Sequence, residues 1–307
     1  MMEDFFDKIT QAVLPDRESA DVSQAVTRPD FNNRVRLSQG YVHYRWDGPE
    51  TGPKVVLIHG FSAPIAVWER TAPALARAGF RVLSFDLYGR GFSDRPNVVY
   101  DENLFDTQVC ELLDALEVKS PVHVVGLSMG GAISAIFTAR HPERVENLVL
   151  IAPAGTPIDV PTLARVSAAP MLGAALMRIF GSLILEKGAA TVFFKKTDGV
   201  DAFMDKYRAQ MGFRGFRRAI MDTLANFDLT DQAASFAEVG RQKRPVMLIW
   251  GVHDTVVPYE NHRMVLSLIP QAKFLSVPGT GHMPHWEDEK TVSAAIVDFL
   301  NNRWQPV

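Results

Sequence analysis

Between residues 54 and 151, short and mostly apolar runs alternate with longer stretches of helical periodicity, and this alternation restricts the chain more than any other feature. The runs are KVVLI (54–58), RVLSF (81–85), VHVVG (122–126) and VENLVLI (145–151), each reading as a buried strand. Between them lie AVWERTAPALARAG, NLFDTQVCELLDAL and MGGAISAIFTAR, all with apolar residues three and four apart. A strand, then a helix, then a strand is the pattern of parallel βαβ units.

The alternation stops after residue 154. Residues 155–232 contain no strand pattern, but several Gly and Pro breaks and helical stretches rich in Ala, Met, Phe and Arg. Strand character returns in PVMLIWG (245–251) and KFLSVPG (273–279), with a helix between them and a final amphipathic helix in KTVSAAIVDFLNNRW. Upstream, RVRLSQGYVHYRWDG alternates like a hairpin at a sheet edge. The expected architecture is α/β: a mostly parallel central sheet flanked by helices, with an inserted helical cap. Its core would comprise 34–154 and 233–307, its cap 155–232, and residues 1–33 would be an N-terminal extension.

Composition removes several classes of function. The chain of 307 residues is 47% hydrophobic and 22% charged, enough to bury a large core. Its 32 Lys and Arg against 35 Asp and Glu are mixed along the chain, which leaves no basic footprint for nucleic acid. One cysteine, Cys110, cannot form an internal disulfide and sits in a helical apolar pattern, so it reads as a packed thiol. The N-terminus MMEDFFDKITQAVLPDRE lacks a basic region followed by an unbroken apolar one, so a cytoplasmic address is expected. The most apolar long stretch, 168–185, is interrupted by Pro170 and Arg178 and reads as a buried or pocket-lining helix, with no stable membrane insertion.

The strongest local signal is GLSMG (126–130), a GxSxG pattern directly between a strand run and a helical run. A side chain presented on so sharp a turn needs a strained backbone and close passage of flanking chain, hence Gly126 and Gly130. Ser128 becomes the candidate nucleophile. The Met129 amide falls at a helix N-terminus, where free donors and the helix dipole favour negative charge. A serine hydroxyl needs a base within hydrogen-bond reach and an acid to orient that base. Asp254 follows PVMLIWG and His282 follows KFLSVPG, each just past a strand end. Among the other histidines, His43, His123, His141 and His262 fail on position, while His253 and His285 stay close rivals. Asp86, the rival acid, precedes the nucleophile and is expected to order a turn through backbone N–H groups. A second oxyanion donor should come from HGFSAP (59–64), with the Phe61 amide as candidate and His59 fixing the loop.

HGF, DLYGRGFSDRP, GLSMGG, LIWGVHD and GTGHMPHWE, in that order, resemble the α/β-hydrolase family in its capped esterase and lipase branch. The resemblance runs from about residue 34 to the end. It implies Ser128 as nucleophile, His282 as base, Asp254 as its orienter, and the Phe61 and Met129 amides as oxyanion donors. Haloalkane dehalogenases and epoxide hydrolases carry Asp at the nucleophile position and are excluded by Ser128; prolyl aminopeptidases carry an HGGPG-type loop that is absent here. The expected reaction is two-step cleavage of a small-molecule carboxylic ester through an acyl-enzyme, with no metal and no cofactor. Activity should fall on the acid side as His282 protonates.

Substrate choice would belong to the cap, through Met171, Leu172, Leu176, Met177, Phe180, Phe193 and Phe194, a lining that suits acyl or aryl groups. Lys195, Lys196, Arg214, Arg217 and Arg218 are expected at solvated surface. Two alternatives remain: carbon–carbon bond hydrolysis of ring-cleavage products, whose enzymes usually carry a glycine-rich HGSGPG-type loop, and a ligand receptor that keeps the fold. Oligomeric state is not readable from these residues.

Overall fold

The computed structural model describes residues 18–25, 33–158 and 184–303. Eight strands form one sheet: β1 (Arg34–Leu37), β2 (Gly40–Asp47), β3 (Lys54–Ile58), β4 (Arg81–Phe85), β5 (Val122–Leu127), β6 (Val145–Ile151), β7 (Val246–Gly251) and β8 (Lys273–Val277). Their spatial order is β1-β2-β4-β3-β5-β6-β7-β8. The hairpin β1–β2 and the β2–β4 pair are antiparallel, and every other pair is parallel. The five parallel strands β3 to β7 are buried on both faces and so read as apolar runs, β8 forms a partly exposed edge, and the hairpin sits at the opposite edge as its alternation requires.

Side chains on these strands sort with period two into two cores, one on each face of the sheet. Val56, Ile58, Leu83, Phe85, Val124, Leu148, Leu150, Leu248 and Trp250 belong to one; Val55, Leu57, Val82, Val125, Val149, Ile151, Met247 and Ile249 belong to the other. The first is covered by helices α2 (Glu102–Ala115), α3 (Met129–Arg140), α6 (Ala233–Arg241) and α7 (His262–Leu268). The second is covered by α1 (Thr71–Arg77) and α8 (Glu289–Leu300), joined by α4 (Val200–Gln210) and α5 (Phe216–Asn226). Truncating one of these strand residues, such as fully buried Leu57, to alanine would cost about 2–5 kcal/mol, which places most of the stability in this layering.

One expected helix is shorter than its pattern. The run from Ala66 to Gly79 breaks into a tight turn, Ile65–Trp68, and helix α1 from Thr71. A helix begun at Ala66 would place Pro73 in its interior, where the missing N–H and the ring clash break the ladder; starting at Thr71 puts Pro73 in the first turn, where no N–H is needed.

Between β6 and β7 the described residues of 155–232 hold helices α4 and α5 and no ladder strand. The N-terminal residues dock there. Ala20 bridges Phe213, with Ala20 N–H donating to Gly212 O (3.1 Å) and Arg214 N–H to Ala20 O (2.9 Å). Helix α5 follows Gly215, which has no side chain to cap it, and the Glu18 carboxylate supplies a cap, accepting from the amides of Gly215 (3.0 Å) and Arg217 (2.7 Å). Arg217 thus departs from the expected solvated surface: its side chain is mostly buried and pairs with Glu18 at 3.0 Å. No helix among the described residues is long and apolar enough to cross a membrane.

Candidate active site

The strand order reverses between β3 and β5. The chain steps outward from β3 to β4, then returns across β3 to lay down β5, so the loops leaving the C-terminal ends of β3 and β5 diverge and open a crevice. Ser128 stands at that opening, on the turn between β5 and α3, with φ 55° and ψ −122°. A positive φ is costly for a residue with a side chain, and here the surrounding structure enforces it. Ser128 N–H donates to Ile151 O (2.9 Å), while its carbonyl accepts from Gly131, Ala132 and Ala154 (2.8, 3.1 and 3.0 Å).

Glycine is obligatory beside it. A Cβ on Gly126 would lie 2.3 Å from Gly130 O, and one on Gly130 only 2.1 Å from Ile58 O, both main-chain atoms that cannot yield. Met129 opens α3, so its amide is one of the first-turn donors that no helix carbonyl can reach. The β3 loop comes alongside at Gly60, whose absent Cβ would sit 3.3 Å from Ser128 Cβ, and this places Phe61 next to the serine.

That loop is anchored from behind. Leu87 N–H donates to His59 Nε2 (2.9 Å), which leaves the proton on Nδ1 to donate to Gly60 O (2.8 Å). Burial pushes His59 down to about 4, so the ring is neutral and serves as a fixed strut, as its sequence position suggested. Asp86 orders the same region: Oδ1 accepts from Ile65 N–H (2.8 Å), and Oδ2 from Phe92 N–H (3.0 Å) and from His43 Nδ1 (2.7 Å). These hydrogen bonds outweigh the burial that opposes ionisation and hold the carboxyl below its usual range. Asp86 thus pairs with His43, whereas His282 pairs with Asp254.

Arg90 was not singled out by the sequence and is fully buried. It has no carboxylate partner among the described residues; Nε donates to Phe61 O (2.8 Å), one terminal nitrogen to Tyr88 O (3.0 Å) and the other to Thr223 Oγ1 (2.9 Å). Its guanidinium also lies over the rings of Phe61 and Phe105, at 5.6 and 5.5 Å. Burial lowers it to about 10, still a cation at neutral pH.

Asp254 follows β7 and His282 follows β8, which brings both to the C-terminal edge that carries Ser128. Asp254 Oδ1 accepts from the amides of Val256 (2.8 Å) and Val257 (3.0 Å), and Oδ2 from His282 Nδ1 (2.8 Å). Because a carboxylate only accepts, the ring proton sits on Nδ1 and Nε2 keeps its lone pair. The neighbouring histidines make other contacts. His253 stacks on Phe194, ring centroids 4.1 Å apart, and His285 is packed against Trp68 at 4.9 Å. Among the described residues no hydrogen bond joins Ser128 Oγ to His282; in ligand-free enzymes such bonds are commonly long and tighten on substrate binding.

Of the expected lining, Phe193 packs against Phe203 and Trp286, and Phe194 is half-exposed over His253. Met171, Leu172, Leu176, Met177 and Phe180 lie outside the described residues. Among the described residues, one group has ligand-like spacing for a metal: Asp106, Cys110 and His141. It lies at the far end of α3, about 18 Å along the helix from Ser128. Arg140 already holds Asp106 at 2.9 Å, and burial pushes the Cys110 thiol up to about 11, as suits a packed protonated thiol.

A serine on a positive-φ turn between a parallel strand and a helix is how α/β enzymes present a nucleophile above their sheet. The chain belongs to the alpha/beta hydrolase fold family, whose sequence pattern it matches over residues 53–289. It is 29% identical over 297 residues to a 2-hydroxy-6-oxononadienedioate/2-hydroxy-6-oxononatrienedioate hydrolase of Cupriavidus pinatubonensis, covering 91% of this chain and 98% of that protein. It is 27% identical over 253 residues to Lipase 1 of Psychrobacter immobilis, covering 78% and 74% of the two chains. Among solved structures it resembles the enol-lactonase of Burkholderia xenovorans LB400, with a TM-score of 0.74, 23% identity, and coverage of 87% and 99%. At that identity the structural likeness speaks for the fold alone.

Proposed function

We propose that the protein is a serine hydrolase that cleaves carboxylic esters of apolar acyl or aryl groups through an acyl-enzyme. Ser128 attacks the carbonyl while His282 Nε2 takes its proton, and Asp254 holds the ring in the required tautomer and stabilises the imidazolium that forms. The Phe61 and Met129 amides receive the developing oxyanion, each such donor contributing about 3–4 kcal/mol to the barrier reduction. His282 then returns the proton to the leaving alcohol, and water repeats the sequence on the acyl-enzyme. The reaction needs neither metal nor cofactor.

The observation that carries this reading is the buried Asp254–His282 pair, 2.8 Å apart, on the same sheet edge as a serine held at positive φ. A second reading, carbon–carbon bond hydrolysis, is favoured by the extent of similarity to the Cupriavidus enzyme. Against it stands the plainer HGFSAP loop (59–64), where ring-cleavage hydrolases usually carry a glycine-rich HGSGPG-type loop. The test is turnover of p-nitrophenyl esters of graded chain length, and of a vinylogous ring-cleavage diketone, by the wild type, Ser128→Ala and Asp254→Asn. Ester turnover lost in Ser128→Ala and reduced by on the order of 10³–10⁴ in Asp254→Asn supports the reading. Turnover of the diketone alone transfers the site to the second, and ester turnover surviving in Ser128→Ala overturns both.

A further inference from the structure

We infer that Glu287 is a positioning residue for His282, latching the loop that carries this histidine to residues 192–195 of the inserted segment, so that the base and the chain above it are held as one unit. The inference rests on His282 being the base of the proposed reaction.

Glu287 ends the one-turn helix Pro284–Glu287 and is 7% exposed. Its two oxygens face different parts of the chain. Oε1 accepts from the amide of Gly281 (2.8 Å), the residue before His282, and Oε2 accepts from the amides of Phe194 and Lys195 (3.0 Å each). A direct bond closes the same junction, His282 N–H donating to Val192 O at 3.0 Å. The two segments touch closely enough that a Cβ on Gly281 would lie 2.9 Å from Phe194 N.

No lysine, arginine or histidine pairs with this carboxylate among the described residues, so its charge is met by amide N–H groups. Burying a carboxylate is costly, and packing alone would be better served by an apolar side chain. What a carboxylate adds is acceptor capacity at both ends. Glutamine, of nearly identical shape, cannot replace it: one end would present an NH₂ to an amide donor, whichever way the side chain turned.

The latched segment also reaches the acid. Phe194 stacks on His253, the neighbour of Asp254, and Phe193 packs on Trp286, the neighbour of Glu287. Residues 192–195 therefore bear on both loops that meet in the Asp254–His282 bond. A displacement of about 1 Å at a catalytic group is enough to cost on the order of 100-fold in rate.

The experiment compares wild type, Glu287→Gln and Glu287→Asp, as full chains, by two readouts. Amide hydrogen exchange is followed in peptides covering 192–196 and 280–283, with β3 to β7 as internal reference; kcat and KM are measured on a short p-nitrophenyl ester. In Glu287→Gln both peptides should exchange faster together by about 10-fold or more, the reference strands staying unchanged, and kcat should fall about 10- to 100-fold with KM within about 2-fold. A merely structural loss would instead lower the active fraction and leave the exchange of the folded population unchanged. If Glu287→Gln does not fold, Glu287→Asp is read by the same measures, since it keeps the charge and withdraws it by one methylene. Unchanged exchange, or loosening of one peptide alone, overturns the latch; joint loosening with unchanged kcat overturns the positioning role. Absence of ester turnover in the wild type would instead defeat the proposed reaction, and the exchange data would still decide the latch.

Discussion

Replacing His285 by leucine should make the protein markedly less sensitive to acid. The ring is fully buried against Trp68, and neither nitrogen makes a hydrogen bond of good geometry. Burial drives it down from 6.5 to about 3; the nearby Val67 carbonyl opposes the shift slightly and His282 adds to it. A histidine whose folded value is depressed binds its proton more readily in the unfolded chain, so its stability contribution is complete above pH 6.5 and is lost as the pH falls toward 3. Between pH 7 and pH 5 this one group should remove about 2 kcal/mol of stability. His59, depressed to about 4, should remove a similar amount, about 2 kcal/mol, over the same interval. The assay is urea unfolding of wild type and His285→Leu at both pH values. At pH 7 the volume-conserving change should matter by less than about 1.5 kcal/mol, while at pH 5 the difference should shift by about 2 kcal/mol in favour of the variant. Identical pH dependence of the two proteins would refute the reasoning, because it would mean that the buried ring does not resist protonation.

Two further substitutions probe the loops around Ser128. Arg90→Met leaves the carbonyls of Phe61 and Tyr88 without a donor, so it should destabilise by about 1–3 kcal/mol in thermal melts and slow ester turnover about 10-fold; unchanged turnover would show that Phe61 is held by other means. Gly130→Ala should cost about 1–3 kcal/mol and abolish turnover, because the new Cβ meets Ile58 O and His59 O. Gly188→Ala, whose Cβ meets nothing within 4 Å, is the control and should be neutral or slightly stabilising.

The parts of this molecule legible in its sequence are those governed by period and position. Five central strands were readable because burial on both faces leaves apolar runs, and the serine turn because only glycine fits at positions 126 and 130. Asp254 and His282 were readable because each follows directly on a strand. Helix α1 was over-extended because apolar spacing outweighed Pro73, whose missing N–H sets the true start. Glu287 and Arg90 gave no signal, since their partners are backbone amides and carbonyls of distant loops, which no residue type advertises.

The loops along the C-terminal edge share one device. They have little regular structure, so neither ladder hydrogen bonds nor period-two packing can fix them. Each is held instead by a buried charged side chain directed at main-chain groups: Asp86 at Ile65 and Phe92, Arg90 at Phe61 and Tyr88, Asp254 at Val256 and Val257, Glu287 at Gly281, Phe194 and Lys195. Apolar packing could not do this, because the hydrophobic effect has no direction and would let the loops slide while staying buried. Hydrogen bonds to charged groups are worth about 1.5–3 kcal/mol each and fix orientation as well as distance. Because the anchors grip backbone, the side chains facing the crevice can change without loosening the frame that positions Ser128, Asp254 and His282.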